Sequence, residues 1–357
     1  MQSKSYVFDP RPALPLLVTA RRYWTSECAL DDLDAITLVF CHATGFHKEQ
    51  WEPTLEHLFG LLRSEPGKVK IRDAWCIDAP NHGEAAKLNE KALLWGYVPV
   101  FPWEEYARAV HLFLAGLGKG VDVDFSSRKL VGIGHSMGAT AIMLAQTYHP
   151  LLPYLSVVLV DPMLLPPSVD TASGGPRNIL LEGAEKRRDV WPSRADVWAQ
   201  FTSRPSWRAW DERVLKLYVQ HGLRELPTAT YPEKTEGVTL TCTKVQEAAC
   251  FRDKLGRTKA YRYLPHMCLA MPVHFIWGGI RDPILTEEVI ATVMAEGTGR
   301  KHASERRVRG ATHLVPQTQP EGLARALWDA LNPSDAPSGS SDCQGGRSRL
   351  ECESAKL

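Results

Sequence analysis

The sequence predicts an α/β fold in which a mostly parallel central sheet carries helices on both faces and an inserted helical cap lies over one edge. Nearly continuous apolar runs alternate with helical patterns, as expected for strands that are buried on both faces. The interval 163–271 between the last two clear runs is too long for a plain connection and must have structure of its own. The clear strand-like runs are 35–41, 69–77, 129–133, 155–160 and 273–277.

The composition excludes several classes of protein. With 357 residues, 44% of them hydrophobic and 23% charged, the chain can bury a large core. Its 42 basic and 41 acidic residues give a net charge of +1, so we expect no nucleic-acid partner. The eight cysteines show no zinc spacing, and we expect no metal or cofactor. No apolar run is long enough for a membrane span, and no signal segment begins the chain, which predicts an intracellular protein.

The pentapeptide Gly134-His135-Ser136-Met137-Gly138 lies between the apolar run at 129–133 and a helix of small residues. This is the G-x-S-x-G pattern in which a serine occupies a strained turn from a strand into a helix. Glycines flank the serine because a Cβ there would clash with neighbouring backbone. The alternative is an ordinary glycine turn. The strand on one side and the helix on the other favour a nucleophilic serine.

A carboxylate and a histidine follow at later strand ends. Asp282 comes shortly after the run at 273–277, and His313 lies in the loop after a weak last strand. Ser136, Asp282 and His313 therefore occur in the serine–acid–histidine order of α/β-hydrolases. Asp161 is a rival acid, since it also ends a parallel strand. Its following proline and the better match at Asp282 favour a structural role for Asp161.

Two backbone N–H groups are candidates for an oxyanion hole. Met137 begins the helix behind the serine, where N–H groups and the helix dipole point at a developing negative charge. Thr44 lies in His42-Ala43-Thr44, which follows the run at 35–41 where an H-G-type motif is usual. Here Ala43 replaces the glycine, and a plain turn is the alternative. Asp78 and His82, in a D-x-P-x-H-G segment, are interpreted as structural.

The end of the chain is poor in apolar residues. Residues 332–357 are rich in serine, glycine and aspartate, which predicts a disordered tail. The tail ends in Ala355-Lys356-Leu357, which resembles the S-K-L peroxisomal address with alanine in place of serine. A chance tripeptide is the alternative. We predict recognition by the peroxisomal import receptor and location in the peroxisome.

Over roughly residues 10–331 the chain resembles the α/β-hydrolase superfamily, and in particular a fungal, capped, peroxisomal branch of it. Some members of that branch resemble hydrolases of toxin and secondary-metabolite pathways, and others resemble peroxisomal lipases. The resemblance implies a core in two parts, 1–162 and 272–331, an inserted helical cap at 163–271, and a tail at 332–357. It rests on the residues 42–49, 134–138, 278–282 and 310–313, on Trp191-Pro192-Ser193-Arg194 and on the terminal tripeptide.

These residues together predict a serine hydrolase that cleaves an ester or thioester of an apolar acyl group. His313 would act as general base on Ser136, and Asp282 would orient and stabilise the imidazolium. The alternatives are an acyltransferase on the same scaffold, a peroxisomal lipase, and a non-catalytic protein that binds a small metabolite. The peroxisomal address makes acyl-CoA thioesters, fatty esters and polyketide-like intermediates candidate substrates. The sequence places no basic cluster clearly for the phosphates of CoA.

Overall fold

A computed structural model describes residues 1–65, 67, 69–167, 178–280 and 285–332. Eight strands form one sheet in the order β1-β2-β4-β3-β5-β6-β10-β11, and three short strands form a second sheet in the cap. The strands are β1 (Gln2–Phe8), β2 (Val18–Trp24), β3 (Ile36–Cys41), β4 (Ile71–Ile77), β5 (Lys129–His135), β6 (Tyr154–Val160), β7 (Val190–Trp191), β8 (Leu223–Glu225), β9 (Val238–Leu240), β10 (Val273–Gly278) and β11 (Ser304–Val308).

Helices cover both faces of the large sheet, as predicted. A 3-10 turn at Lys48–Trp51 precedes the first helix, and a π-helical turn at Val293–Gly297 follows the eleventh. The helices are α1 (Glu52–Ser64), α2 (Gly83–Gly96), α3 (Trp103–Leu114), α4 (Met137–Ala145), α5 (Ile179–Lys186), α6 (Arg194–Thr202), α7 (Pro205–Arg208), α8 (Glu212–His221), α9 (Lys244–Arg252), α10 (Leu255–Ala270), α11 (Glu287–Thr292), α12 (Val315–Thr318) and α13 (Pro320–Leu331).

The register of the large sheet brings several strand ends to one edge. Strands β4, β3, β5, β6, β10 and β11 are parallel, whereas β1 and β2 add an antiparallel edge. His135 at the end of β5 pairs with Val160 at the end of β6, and Val160 pairs with Ile276 of β10. The residues that follow these ends, Ser136 and Asp161, therefore begin their loops side by side.

The core lies on both faces of this sheet. Helices α3 and α4 pack on one face, where every residue of α4 is buried, and α1 packs with α13 on the other face. Helix α10 falls in the interval predicted as cap, but it packs against α4 and belongs to the core. Its buried side chains Ala260, Leu264 and Met267 are small or apolar and share one cluster with α4.

The rest of the interval predicted as cap, as far as it is described, precedes α10. It consists of α5–α9 and the antiparallel sheet β7-β9-β8. The small sheet was not expected in a mostly helical cap, because strands of two or three residues leave no alternating pattern. The cap has an apolar cluster of its own, which includes Trp191, Phe201, Trp210 and Tyr218. Within the described ranges, no helix combines the length and the apolar character that crossing a membrane requires.

Candidate active site

The strand-to-helix turn around Ser136 has the geometry of a nucleophile elbow. Ser136 has φ 54° and ψ −116°, a strained conformation for a residue with a side chain, and its N–H donates to the carbonyl of Val160 (3.1 Å). A Cβ on Gly138 would lie 2.2 Å from the carbonyl oxygen of Cys41, and one on Gly134 would lie 2.4 Å from the Cα of Ala139. Both flanking positions therefore require glycine, as the sequence predicted.

His313 lies beside the serine. Its Nε2 is 3.0 Å from the Oγ of Ser136, which is hydrogen-bond distance. The loop that carries His313 is held by His135, whose Nε2–H donates to the backbone carbonyl of His313 (2.8 Å). Burial holds the pKa of His135 well below its usual range, so its imidazole stays neutral and cannot repel a protonated His313.

Asp161 is the carboxylate that the described residues bring to the other side of this histidine. Its Oδ2 lies 2.6 Å from Nδ1 of His313, and its Oδ1 accepts a hydrogen bond from the N–H of Gly278 (2.9 Å). Asp161 is 2% exposed and has φ 41°, a second strained residue in this cluster. Asp282, the acid that the sequence favoured, lies outside the described residues.

A sequence signal for Asp161 existed. Asp161 directly follows β6, the strand that pairs with the elbow strand β5, so its first loop residue starts next to Ser136. In the sequence, the proline at 162 and the motif around Asp282 favour Asp282 instead. The proline does not prevent the contact, because the side chain of Asp161 leaves the backbone before the proline ring.

The two predicted oxyanion donors are brought together. The Oγ1 of Thr44 donates to the Sδ of Met137 (3.2 Å), so the loop after β3 contacts the first residue of α4. Within the described residues, the N–H of Thr44 has no hydrogen-bond partner. The next N–H, that of Gly45, donates to Nε2 of His82 (2.8 Å). His82 therefore fixes the backbone immediately beside Thr44.

A buried ionic cluster lies behind the same loop. The ammonium of Lys48, 1% exposed, contacts Asp78 (2.8 Å) and Glu49 (2.9 Å). Burial by itself would lower the pKa of Lys48, but the two carboxylates raise it above its usual range, so the cluster stays ionised. Asp78 also accepts from the backbone N–H of Lys48 (2.8 Å). These contacts tie the loop of Thr44 to the end of β4.

A cavity of about 830 Å³ opens between this site and the cap. Thr44 and Leu314, the neighbour of His313, line it on the core side. The rings of Phe201 and Trp207 stack in parallel, with centroids 3.9 Å apart. The described cap side chains in its lining are mostly aromatic or cationic, and those are Lys186, Arg187, Arg188, Trp191, Phe201, Arg204, Trp207, Trp210, Tyr218 and Phe251.

One cation of this lining is neutralised within the protein. Nη1 of Arg187 donates to Glu247 (2.6 Å), and Nη2 donates to the hydroxyl of Tyr218 (3.2 Å). Glu247 in turn lies against Gly45, where a Cβ would come within 3.0 Å of its Oε1.

The predicted peroxisomal signal Ala355-Lys356-Leu357 lies outside the described residues.

The class of protein is indicated by three features together: the eight-stranded sheet, the serine on a strained elbow and the histidine beside the serine hydroxyl. The sequence profile of the Alpha/beta hydrolase family matches residues 38–326, and the chain belongs to that family. This membership and the α/β-hydrolase fold confirm what the motifs predicted.

The matching relatives are fungal. The chain is 31% identical over 230 residues to the type I acyl-CoA thioesterase mpaH of Penicillium brevicompactum, a match that covers 60% of this chain and 49% of that protein. It is 24% identical over 249 residues to the abhydrolase domain-containing protein AKT2 of Alternaria alternata, covering 63% of this chain and 90% of AKT2. The chain thus spans about half the length of the thioesterase relatives that it matches.

Solved structures show the same fold. The peroxisomal alpha-beta-hydrolase Lpx1 of Saccharomyces cerevisiae superimposes with a TM-score of 0.69 at 18% identity, covering 97% of this chain and 93% of Lpx1. The thioesterase domain from the curacin biosynthetic pathway gives a TM-score of 0.60 at 11% identity, covering 92% of this chain and 100% of that domain. At such identities the likeness concerns the fold alone.

Proposed function

We propose that this protein is a serine hydrolase that cleaves an ester or thioester of an apolar acyl group. The observation that carries the proposal is the continuous chain of contacts from Ser136 to His313 (3.0 Å) and from His313 to Asp161 (2.6 Å). Beside it, at Thr44 and at Leu314, the neighbour of His313, begins a cavity walled by aromatic side chains, the surroundings that suit an apolar acyl group. No step requires a cofactor or a metal.

In the proposed mechanism each side chain has a role that its contacts support. Nε2 of His313 takes the proton of Ser136 as Oγ attacks the acyl carbonyl carbon. The resulting oxyanion accepts hydrogen bonds from the N–H groups of Met137 and Thr44. Protonated His313 then gives its proton to the departing thiol or alcohol as the acyl-enzyme forms. Water, deprotonated by the same histidine, attacks the acyl-enzyme, releases the acid and restores Ser136.

Asp161 is the acid that we propose for this mechanism. Its carboxylate accepts the Nδ1–H of His313 and so directs Nε2 toward the serine. Asp282, predicted from the sequence, remains a second candidate. Asp161→Asn and Asp282→Asn separate the two, because an amide at the true acid position favours the wrong tautomer and lowers kcat by about 10⁴-fold. We expect that loss for Asp161→Asn. A full loss in Asp282→Asn alone would move the role to Asp282.

Labelling of the serine tests the hydrolase assignment directly. A fluorophosphonate probe should label the purified protein, and Ser136→Ala should remove both the label and the hydrolysis of acyl thioesters. Ser64→Ala is a matched control, because Ser64 is an exposed serine on α1 whose hydroxyl donates to the carbonyl of Gly60. Full activity of Ser136→Ala would contradict the proposal. An unlabelled wild-type protein would favour the non-catalytic alternative.

The relatives favour a thioester among the candidate substrates, because mpaH carries the name of an acyl-CoA thioesterase. Transfer of the acyl group to another alcohol or amine is the alternative fate of the acyl-enzyme. Mass spectrometry of the products, with and without an added acceptor, distinguishes the two. We expect the free acid in both cases, and a conjugate that replaces the acid would indicate an acyltransferase.

We further propose a peroxisomal location and a role in a fungal secondary-metabolite pathway. The resemblance of Ala355-Lys356-Leu357 to the peroxisomal address supports the location. A fluorescent protein fused ahead of the full chain should accumulate in peroxisomes, and removal of Leu357 should release it to the cytosol. An unchanged distribution after that removal would contradict the proposed signal.

A further inference from the structure

The cavity has two chemically different parts. Its buried wall consists of aromatic side chains such as Trp191, Phe201 and Tyr218, each no more than 3% exposed. Its exposed rim carries Lys186, Arg188 and Arg204. A ligand that enters this cavity with an apolar group against the wall therefore leaves its other end among cationic side chains.

The cavity lining has more basic than acidic side chains, whereas the whole chain has nearly equal numbers of both. The whole sequence has 42 basic and 41 acidic residues. Among the described residues, the cavity lining contains four cationic side chains and one carboxylate, that of Glu247. Arg187 already uses this carboxylate. The exposed rim is therefore a local excess of positive charge, which attracts anions and concentrates them at the mouth of the cavity.

Neither guanidinium of the rim is neutralised by a carboxylate in the described part of the chain. Arg188 donates instead to neutral oxygens, the carbonyl of Val190 (2.8 Å) and the Oε1 of Gln200 (3.4 Å). Its guanidinium also lies over the ring of Trp191, 5.7 Å from the centroid, so it is oriented while keeping its full charge. Lys186 is partly compensated, because Glu182 is 3.5 Å from its ammonium.

We propose that Arg188 and Arg204 bind the phosphates of the leaving group, so that the substrate is an acyl thioester of coenzyme A. This inference rests on the proposed hydrolase function and adds to it the group that the rim recognises. Guanidinium forks match phosphate oxygens in geometry and in charge. The acyl group would lie against the aromatic wall and the nucleotide phosphates at the rim. A neutral ester would gain nothing from these two side chains.

Three thioesters of one acyl chain test the proposal: those of coenzyme A, of dephospho-coenzyme A and of N-acetylcysteamine. For the wild type we expect kcat/KM to be highest with coenzyme A and lowest with N-acetylcysteamine. The preference should shrink as salt rises, because exposed charges are screened. The difference in kcat/KM between the thioesters of coenzyme A and of dephospho-coenzyme A shows how much the 3′-phosphate contributes. Equal kcat/KM for all three thioesters would overturn the proposal.

The double variant Arg188→Gln/Arg204→Gln locates the effect. It should lower the preference for the coenzyme A thioester over the N-acetylcysteamine thioester by about tenfold, mainly through KM. That factor corresponds to about 1.4 kcal/mol, a modest figure because water screens exposed charges. Arg208→Gln is the matched control, because Arg208 is also exposed on α7 but does not line the cavity. An unchanged preference in the double variant would refute the assignment of these arginines.

A binding measurement separates this inference from the catalytic one. Coenzyme A itself can be titrated calorimetrically into Ser136→Ala, which needs no turnover. We expect binding that is weakened in the Arg188→Gln/Arg204→Gln background. If no ester or thioester is hydrolysed but this binding persists, the proposed function fails and the rim assignment stands. If thioesters are hydrolysed but coenzyme A binds neither protein, the rim assignment fails and the hydrolase stands.

Discussion

The elbow region and the cap bury their side chains in different ways. Around Ser136, strands β3, β4 and β10 are buried at every position, and so is helix α4. In the cap, helix α5 buries a single side chain, that of Ala184, and much of the remaining packing is between aromatic rings. The residues that we propose as catalytic therefore lie on a fully buried support, whereas those that we propose for recognition lie on a more exposed layer.

The difference extends to charge. Beneath the loop of Thr44, Lys48 is neutralised by two buried carboxylates, and every member of that cluster has a structural partner. At the rim of the cap, Arg188 and Arg204 face solvent without a carboxylate partner in the described part of the chain. Charge inside the core holds the loop of Thr44 in place. Charge on the cap is available for a ligand.

Removing one charge from each region should give the largest contrast. Lys48→Met leaves Asp78 and Glu49 buried without their cation, so we expect a loss of about 3–5 kcal/mol in the free energy of unfolding. Lys216→Met in the cap removes an exposed pair with Glu212 and should cost less than about 0.5 kcal/mol. Urea unfolding of both variants measures this. Similar losses in the two variants would break the contrast.

Adding one methyl group to a glycine in each region should change stability by a smaller amount, and the change should have opposite signs in the two regions. In Gly138→Ala the new Cβ meets the backbone of Cys41, which must push α4 from β3. We expect a loss of about 1–3 kcal/mol in stability and about a hundredfold in kcat, since small displacements of a nucleophile are costly. Gly183→Ala, where a Cβ meets nothing within 4 Å, should instead stabilise α5 by about 0.5–1 kcal/mol. Thermal unfolding of both variants and kcat of Gly138→Ala measure these effects.

The buried histidines of the core predict a fall in stability with acid. Burial lowers the pKa of His42 to about 4 in the folded protein, against about 6.5 when unfolded. Between these values the unfolded state binds the proton and the folded state does not, so stability is complete above pH 6.5 and is lost as the pH falls. His42 alone should cost about 2 kcal/mol between pH 7 and pH 5.

Urea unfolding at the two pH values measures this fall. His42→Gln should reduce it by about 2 kcal/mol, because glutamine does not titrate. The residual fall in that variant should reflect His82 and His135, whose pKa values are also held well below the usual range by burial. A fall of the same size in His42→Gln and in the wild type would contradict the prediction.

Local sequence was sufficient to predict Ser136, its two flanking glycines and the family of the fold. The reason is that the elbow places a backbone requirement on consecutive residues: a strand, a serine at positive φ and a helix of small residues must follow one another. The long apolar runs likewise identify strands that are buried on both faces, wherever they lie in the sheet. His313 was predicted for a related reason, because its place in the chain order follows from the order of the strands.

The tertiary structure decided what depends on residues far apart in the chain. Asp161 and Asp282 each follow a strand, and only the pairing of β5 with β6 and the 2.6 Å contact bring Asp161 to His313. Helix α10 joined the core rather than the cap because its apolar side chains meet α4. The rim, too, was absent from the sequence pattern, since Arg188 and Arg204 belong to different loops and only the folded cap places both on one cavity. The spacing of residues in the sequence reflects local backbone geometry. Contacts across the sheet and the cap join residues far apart in the chain, so they exist only in the folded protein.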